Sequence, residues 1–395
     1  MRDEMKKVPR LRFRGFQEDW ELCKLDDLLN EVKRPVKIED HKEYQLVTVK
    51  RRNGGVVSRG NFKGENILVK NYFVLKKNDY LISKRQVVHG ANGIVPENMD
   101  GAVVSNEYLV SVGNESIKTD YLTIISQLPQ MYKLFFLSSY GIDIEKLVFN
   151  VEDWKKRTML VPNIDEQVKI ASFFKIIDDT ITLHQRKLEQ LKELKTAYLQ
   201  LMFVPTNTKN NKVPKLRFAN FEENWELCKL ENIIEKQIKG KAKVENLCNG
   251  SVEYLDANRL NGGKPIYTKA LPDVSERDII ILWDGSKAGK VYYGFKGVLG
   301  STLKAYQLKE CANSQFIYQQ LLDNQNNIYN NYRTPNIPHV VKNFSSIFPI
   351  WMTSFEEQSQ MADILSNLDN RIILQQNLTD TMISLKKSYL QNMFI

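Results

Sequence analysis

The chain contains itself twice. Val8–Leu25, VPRLRFRGFQEDWELCKL, returns as Val213–Leu230, VPKLRFANFEENWELCKL, with thirteen of eighteen positions identical. Trp20/Trp225 and Cys23/Cys228 are among the shared positions. Farther on, Asp165–Phe203 returns without a gap as Glu356–Phe394, and the two copies end in KTAYLQLMF and KKSYLQNMF. Between these flanks lie two long bodies that have mostly lost their likeness. The fold must therefore be frame, variable body and frame, made twice. Alike scaffolds around unlike bodies imply a chain that engages two different targets with one repeated device.

At 395 residues, two bodies of ordinary size can each bury a core. A composition 42% apolar and 26% charged is that of an ordered soluble chain. A net charge of +9 points to a polyanionic partner. No stretch reaches the length of a membrane span and MRDEMKK opens no apolar leader, so the expected location is cytoplasmic. Four cysteines (Cys23, Cys228, Cys248, Cys311) form no CxxC pair and are expected to pack rather than bridge.

The expected divisions are 1–163, a first body with its leading segment; 164–203, a long central helix; 204–212, a polar linker; 213–354, a second body; and 355–395, a C-terminal long helix. After each leading segment we predict a helix, Leu25–Val32 and Leu230–Gln237. Strand-like runs follow at Tyr44–Val49, Tyr72–Leu75, Tyr80–Ile82 and Val103–Val112, then at Val252–Leu255, Ile279–Trp283, Lys290–Phe295 and Ala305–Leu308. Helical patterns over Asp120–Ser138 and Ser314–Tyr329 close the bodies. Gly101–Ser105 (GAVVS) parallels Gly297–Ser301 (GVLGS), so the bodies are predicted to share an α/β topology with a substantial sheet.

The long helices carry a heptad seam. Ile170, Phe174, Ile177, Ile181, His184, Leu188 and Leu191 alternate in steps of four and three, and Met361, Leu365, Leu368, Ile372, Gln375, Thr379 and Met382 hold the same ranks. Such seams ask for a partner, and the simplest partner is the other copy. At ~1.5 Å per residue each helix is ~58 Å long. Paired antiparallel, they would meet at His184 and Gln375, a polar layer that fixes register. The expectation is a pseudo-two-fold dumbbell, with two α/β bodies joined by a coiled-coil spacer.

Charge concentrates in the bodies. Lys33–Arg85 holds fourteen Lys/Arg against five Asp/Glu, and Lys236–Lys309 thirteen against seven. The candidate contact residues are Lys50, Arg51, Arg52, Asn53, Arg59, Lys63, Lys84, Arg85 and Gln86 in the first body. In the second they are Asn258, Arg259, Ser286, Lys287, Lys290 and Lys304. Lys and Arg neutralise phosphates, while Arg, Asn and Gln can pair bidentately with base edges.

Catalytic patterns are absent. Gly285–Lys290 has too few residues between its glycines for a phosphate loop, and Val291 stands where Ser or Thr is required. No GxGxxG follows a strand, and no NPPY-like methyltransferase stretch is present. His41, His89, His184 and His339 lack metal-ligand spacing. A nuclease built on Asp256, Asp273 and Asp284, or a freestanding DNA-binding repressor with a split operator, are the alternative readings.

The duplicated order of VPKLRF-F-W-KL, a body ending in proline then (D/E)EQ, and a long helix resembles the specificity subunit of type I restriction–modification systems. VPNIDEQVKIASFF and FPIWMTSFEEQSQMADIL are similar to that family's junctions between target-recognition domain and helix. The resemblance implies two target-recognition domains, at 1–163 and 213–354, that read the halves of a bipartite, asymmetric site on double-stranded DNA. It implies a non-catalytic chain that assembles with two adenine-methylating modification subunits and two restriction subunits. S-adenosylmethionine, ATP and Mg would reside on those partners, with no cofactor or metal on this chain. Tyr198, Phe203, Tyr389 and Phe394 would be the outward docking residues of the helix frame.

Overall fold

The structure, a computed structural model, describes residues 8–205, 212–243, 250–335 and 338–395. Most of the 204–212 linker and Cys248 lie outside the described residues. The chain divides into two compact units, 1–183 with 379–395 and 184–378. The limits fall within the long helices, Ile164–Met202 and Phe355–Asn392, so each unit holds one body and a segment of both helices.

The duplicated flanks find each other within each unit. In the first, Glu21–Lys24 pairs antiparallel with Thr158–Val161, the strand that leads into the first long helix. In the second, Glu226–Lys229 pairs with Pro349–Met352 in the same way. A leading segment and a helix far apart in sequence thus share one clasp, which is why both recur together.

The divergent bodies repeat one four-stranded sheet, although the second sheet has five strands in the first unit and three in the second. The first unit carries a four-stranded sheet in the order Leu29–Glu31, Tyr108–Gly113, Tyr80–Ser83, Asn92–Ile94. The second repeats it with Ile234–Lys239, Leu303–Leu308, Ile279–Leu282, Val291–Tyr292. The inner strands YLIS and IIIL are buried at every position, which is why they read as unbroken apolar runs rather than alternating ones. A second sheet follows in each unit. There the GAVVS and GVLGS strands lie parallel to the first strand of a neighbouring hairpin, through Leu46↔Val103 and Tyr254↔Val298.

Several expectations are corrected. Leu25–Val32 is not a helix, and of Leu230–Gln237 only Leu230–Ile233 forms a single 3-10 turn. Their apolar pairs look helical locally, but Leu29–Glu31 and Ile234–Lys239 become edge strands on Tyr108–Gly113 and Leu303–Leu308. Val103–Val112 breaks at Asn106–Glu107 into two strands that join different sheets. Lys290–Phe295 keeps only Val291–Tyr292 as strand, because Gly294 at φ +81 turns the chain. Asp120–Ser138 is two helices, divided where Pro129 starts the second, since a proline cannot continue the first.

Within each unit the helix segments run antiparallel. In the second, His184 meets Gln375 and Lys195 pairs with Asp369; in the first, Asp178 pairs with Lys386. Of the seam positions named above, Ile177, Leu188, Leu368, Gln375 and Thr379 are buried, and Ile181, His184, Ile372 and Met382 are half-buried. Gln375 Nε2 lies 2.8 Å from His184 Nδ1 and donates to the His184 carbonyl at 3.1 Å, so the polar interruption of the seam is hydrogen-bonded rather than empty.

The helix ends face inward, not outward. Phe203, 5% exposed, packs against Phe316 and Trp225 at ring separations of 5.4 and 6.4 Å. Phe394 sits among Phe174, Tyr121 and Trp20 at 5.9, 6.1 and 6.3 Å. Tyr198 and Tyr389 pack partly buried beside them. Phe203 and Phe394 are therefore core and the two tyrosines flank it, because a ring at a helix end gains more by filling its unit than by facing water. Phe203→Ala should cost about 3–5 kcal/mol. Denaturant unfolding of the full chain measures this; a loss near zero would mean the ring is not part of the core.

Candidate nucleic-acid interface

In the first unit the basic run Lys50–Gly55 forms the tip between strands Glu43–Val49 and Val56–Lys63. Asn-Gly-Gly supplies the turn, and Lys50 N–H closes it onto the Gly55 carbonyl at 2.9 Å. Arg52 and Asn53 both adopt left-handed backbone, φ 58 and 55. Asn tolerates this, but for Arg it costs of order 1 kcal/mol. The conformation is held from outside the hairpin: Arg52 N–H donates to His89 O at 2.7 Å and Asn53 N–H to Gly90 O at 3.0 Å. Gly90 is required there, since a Cβ would stand 2.8 Å from Asn53 Oδ1 and its φ is +75.

Beside the tip, a cleft of about 400 Å³ is lined by Arg51, Arg52, Asn53, His89, Tyr132 and Glu145. Arg51 is paired with Glu145 at 2.9 Å, and His89 Nε2 stands 3.6 Å from the same carboxylate. Lys50, Arg52 and Asn53 are exposed. Arg59 and Lys63 are exposed on the return strand, but Lys63 pairs with Glu43 at the hairpin's base. Seven residues of strand place it ~23 Å from Val56, so it belongs to a different patch from the tip.

Lys84 and Arg85 are tethered to the neighbouring turn. Lys84 Nζ donates to the Asn106 carbonyl at 2.9 Å, and Arg85 pairs with Glu107 at 2.6 Å. Gln86 is half-buried and its amide oxygen is fully buried without a hydrogen bond among the described residues, so that group is turned into the protein.

The second unit builds its counterpart differently. Asp256 caps a short helix, Ala257–Leu260, by accepting the Arg259 N–H at 2.7 Å, and the Arg259 side chain is ion-paired with Glu253. Asn261 then ties this connection to the next strand. Its Nδ2 donates to Tyr292 OH at 3.0 Å and its Oδ1 accepts from Lys290, which also lies 5.2 Å from the Tyr292 ring. The connection that carries Asn258 and Arg259 is thereby tied to Lys290 through Asn261. Ser286 and Lys287 are exposed on the Gly285–Gly289 turn, where Arg333 reaches the Ser286 carbonyl at 3.3 Å. Lys304 stands apart, 3.4 Å from the Trp283 ring centre and in register with Lys239. Burial lowers the pKa of both Lys290 and Lys304 from the usual lysine value, and Lys287 and Lys239 push in the same direction.

The carboxylates of the nuclease reading are otherwise engaged. Asp256 caps a helix and Asp273 accepts the Leu299 N–H at 2.9 Å, while Asp284 stands 3.5 Å from His339 Nδ1. Among the described residues no cluster of three or more His, Cys, Asp or Glu could hold a metal ion. Nor is any helix among them long and apolar enough to cross a membrane.

Sequence reading missed Arg333, stacked 4.8 Å over Tyr329, and His89 beneath the tip. It also missed a signal. Arg51-Arg-Asn-Gly-Gly55 and Arg259-Leu-Asn-Gly-Gly263 are the same R-x-N-G-G motif, and both lie in the connection that follows the first strand of the hairpin.

The two units repeat one four-stranded order, and their unlike connections carry basic side chains. The chain belongs to the type I restriction modification DNA specificity domain family, whose model matches residues 17–193 and again 222–382. Over 181 residues it is 32% identical to the type I restriction enzyme MjaVIII specificity subunit of Methanocaldococcus jannaschii, covering 44% of this chain and 42% of that one. The match thus spans under half of that relative. Its fold is similar to the crystal structure of the type I restriction–modification S subunit from M. genitalium, with TM-score 0.66 and 15% identity over 98% of this chain and 99% of that one. A chain from a structure on complex assembly and conformational transition of the type I system aligns at TM-score 0.52 and 14% identity, covering 94% and 96%.

Proposed function

We propose that this chain is a sequence-specific DNA-binding subunit which directs adenine methylation and restriction by partner subunits to a bipartite, asymmetric site. Each unit reads one half. The chain performs no covalent step itself. The modification subunits supply S-adenosylmethionine chemistry, and the restriction subunits supply ATP- and Mg-dependent chemistry, two of each per assembly in the cytoplasm. The observation that carries this reading is the conservation of strand order between units whose connections differ. Lys50–Gly55 is a six-residue tip, whereas its counterpart Asp256–Pro265 folds a helix. A repeated frame preserves function while unlike loops choose unlike sequences. The exposed Lys50, Arg52, Arg59, Lys63 and Lys287 supply phosphate affinity, and Asn53, Asn258 and the paired arginines face the grooves.

Genome-wide adenine-methylation mapping in cells with and without the chain tests this. A single two-part, non-palindromic motif should lose methylation when the chain is removed. Unchanged methylation alongside intact partner subunits would overturn the reading and favour a freestanding DNA-binding protein.

A further inference from the structure

The arginines of the Glu43–Lys63 hairpin and of its counterpart connection divide into two physical states, apart from Arg85, whose partner Glu107 lies on the neighbouring turn. Arg51 and Arg259, at equivalent positions of the two R-x-N-G-G connections, are each held by a carboxylate, Glu145 and Glu253. Arg52 and Arg59 are exposed, and among the described residues neither side chain has a hydrogen bond or ion pair. The two units share neither the length of this connection nor the origin of the acid. Glu253 lies on the preceding strand, whereas Glu145 comes from a short 3-10 turn nearly a hundred residues away. The pairing recurs although the structural means of achieving it differ.

The two states suit different tasks. A guanidinium has five N–H donors, and a carboxylate that takes one or two of them fixes the plane of the rest. Bidentate recognition of a base edge needs that fixed plane, whereas a phosphate accepts a charge from many directions. The pair is also nearly neutral as a unit, so phosphate attraction is weakest where orientation is best. A free arginine on an exposed strand has the opposite balance: full charge and little orientation. The tip backbone adds to the contrast, since Arg52 sits strained at φ 58 and anchored by its own N–H while Arg51 is anchored through its side chain.

Resting on the reading above, we infer that Arg51 and Arg259 are the base-reading arginines of the two half-sites, positioned by Glu145 and Glu253, and that Arg52 and Arg59 bind phosphate. Glu145 and Glu253 are then positioning residues for specificity.

The test uses the full chain and charge-conserving variants. Selection from a pool of randomised duplexes first yields the sequence that the unaltered chain enriches. Binding is then measured on that duplex and on a scrambled one across a salt series. Arg51→Lys and Arg259→Lys should each reduce the preference for the enriched duplex by about 5- to 150-fold and leave the salt slope unchanged. Arg52→Ala and Arg59→Ala should weaken both duplexes alike and lower the slope of log K against log salt by about 0.9 each. Glu145→Gln should lower the preference in the direction of Arg51→Lys. If Glu145→Gln instead strengthens binding to both duplexes equally, the carboxylate merely masks charge and the inference is overturned. It is equally overturned if Arg51→Lys keeps the full preference. Should the unaltered chain and its partner complex enrich no sequence at all, it is the proposed function that fails, which separates the two outcomes.

Discussion

Arg12→Met should destabilise the first unit by about 3–5 kcal/mol, and Arg217→Met should cost the second unit about 1–2 kcal/mol less. Both arginines come from the duplicated LRF and grip a glutamate of the duplicated (D/E)EQ. Arg12 Nε and Nη2 each lie 2.8 Å from Glu166, which is 1% exposed. Arg217 does the same to the fully buried Glu357 at 2.7 and 2.8 Å. Removing either arginine strands a carboxylate in the interior. The environments left behind differ, however. Glu357 also accepts from Trp225 Nε1 at 3.2 Å and from the Thr353 hydroxyl. Among the described residues Glu166 has no such support, and Trp20 Nε1 is a buried donor without a partner. Methionine keeps most of the stem's packing, so the comparison isolates the charge. Hydrogen exchange across a denaturant series reads each unit separately. Equal losses in both units would show that the extra donors on Glu357 contribute nothing.

Gln167→Met and Gln358→Met are expected to cost at least about 3 kcal/mol each, at roughly 1 kcal/mol or more for every buried backbone group left unsatisfied. Both glutamines are completely buried, and each makes three backbone hydrogen bonds. Gln167 accepts Lys118 N–H at 2.9 Å and donates to Ser116 O at 2.9 Å and Pro162 O at 2.8 Å. Gln358 accepts Asn313 N–H at 2.8 Å and donates to Cys311 O at 3.1 Å and Thr353 O at 2.7 Å. Each amide thus fastens the first turn of a long helix to the start of the body's helical layer. Gln167→Glu and Gln358→Glu should be no better tolerated, because a carboxylate cannot donate to two carbonyls. Thermal unfolding of the four variants decides the matter. If the Glu variants were as stable as the unaltered chain, shape rather than hydrogen bonding would hold this joint.

These two joints explain why the repeat was readable. Arg12/Arg217, Glu166/Glu357 and Gln167/Gln358 are polar residues whose burial leaves little freedom to change, so the duplication survives in letters. The heptad steps likewise carried the helix seam, including its polar rank at His184 and Gln375. Other features stayed hidden for definite reasons. Leu25–Val32 and Leu230–Gln237 show helical spacing, yet the decisive hydrogen bonds come from strands roughly 65–85 residues later. Phe203 and Phe394 end amphipathic helices, and nothing local says that each closes over a body's core. In the basic patches, Arg51 and Arg52 are adjacent and alike in sequence, but among the described residues only Arg51 is ion-paired.

By itself, the sequence determined the doubled frame, the α/β character of both bodies, the long helices and the basic balance of the variable regions. Those properties follow from periodicity, composition and repetition, all written along one dimension. The tertiary structure alone decided which strand order the divergent bodies share, that the flanks clasp each other, and which arginines are oriented and which are free. These depend on groups meeting across large separations in the chain, where hydrogen bonds and ion pairs act over a few ångströms of space regardless of sequence distance.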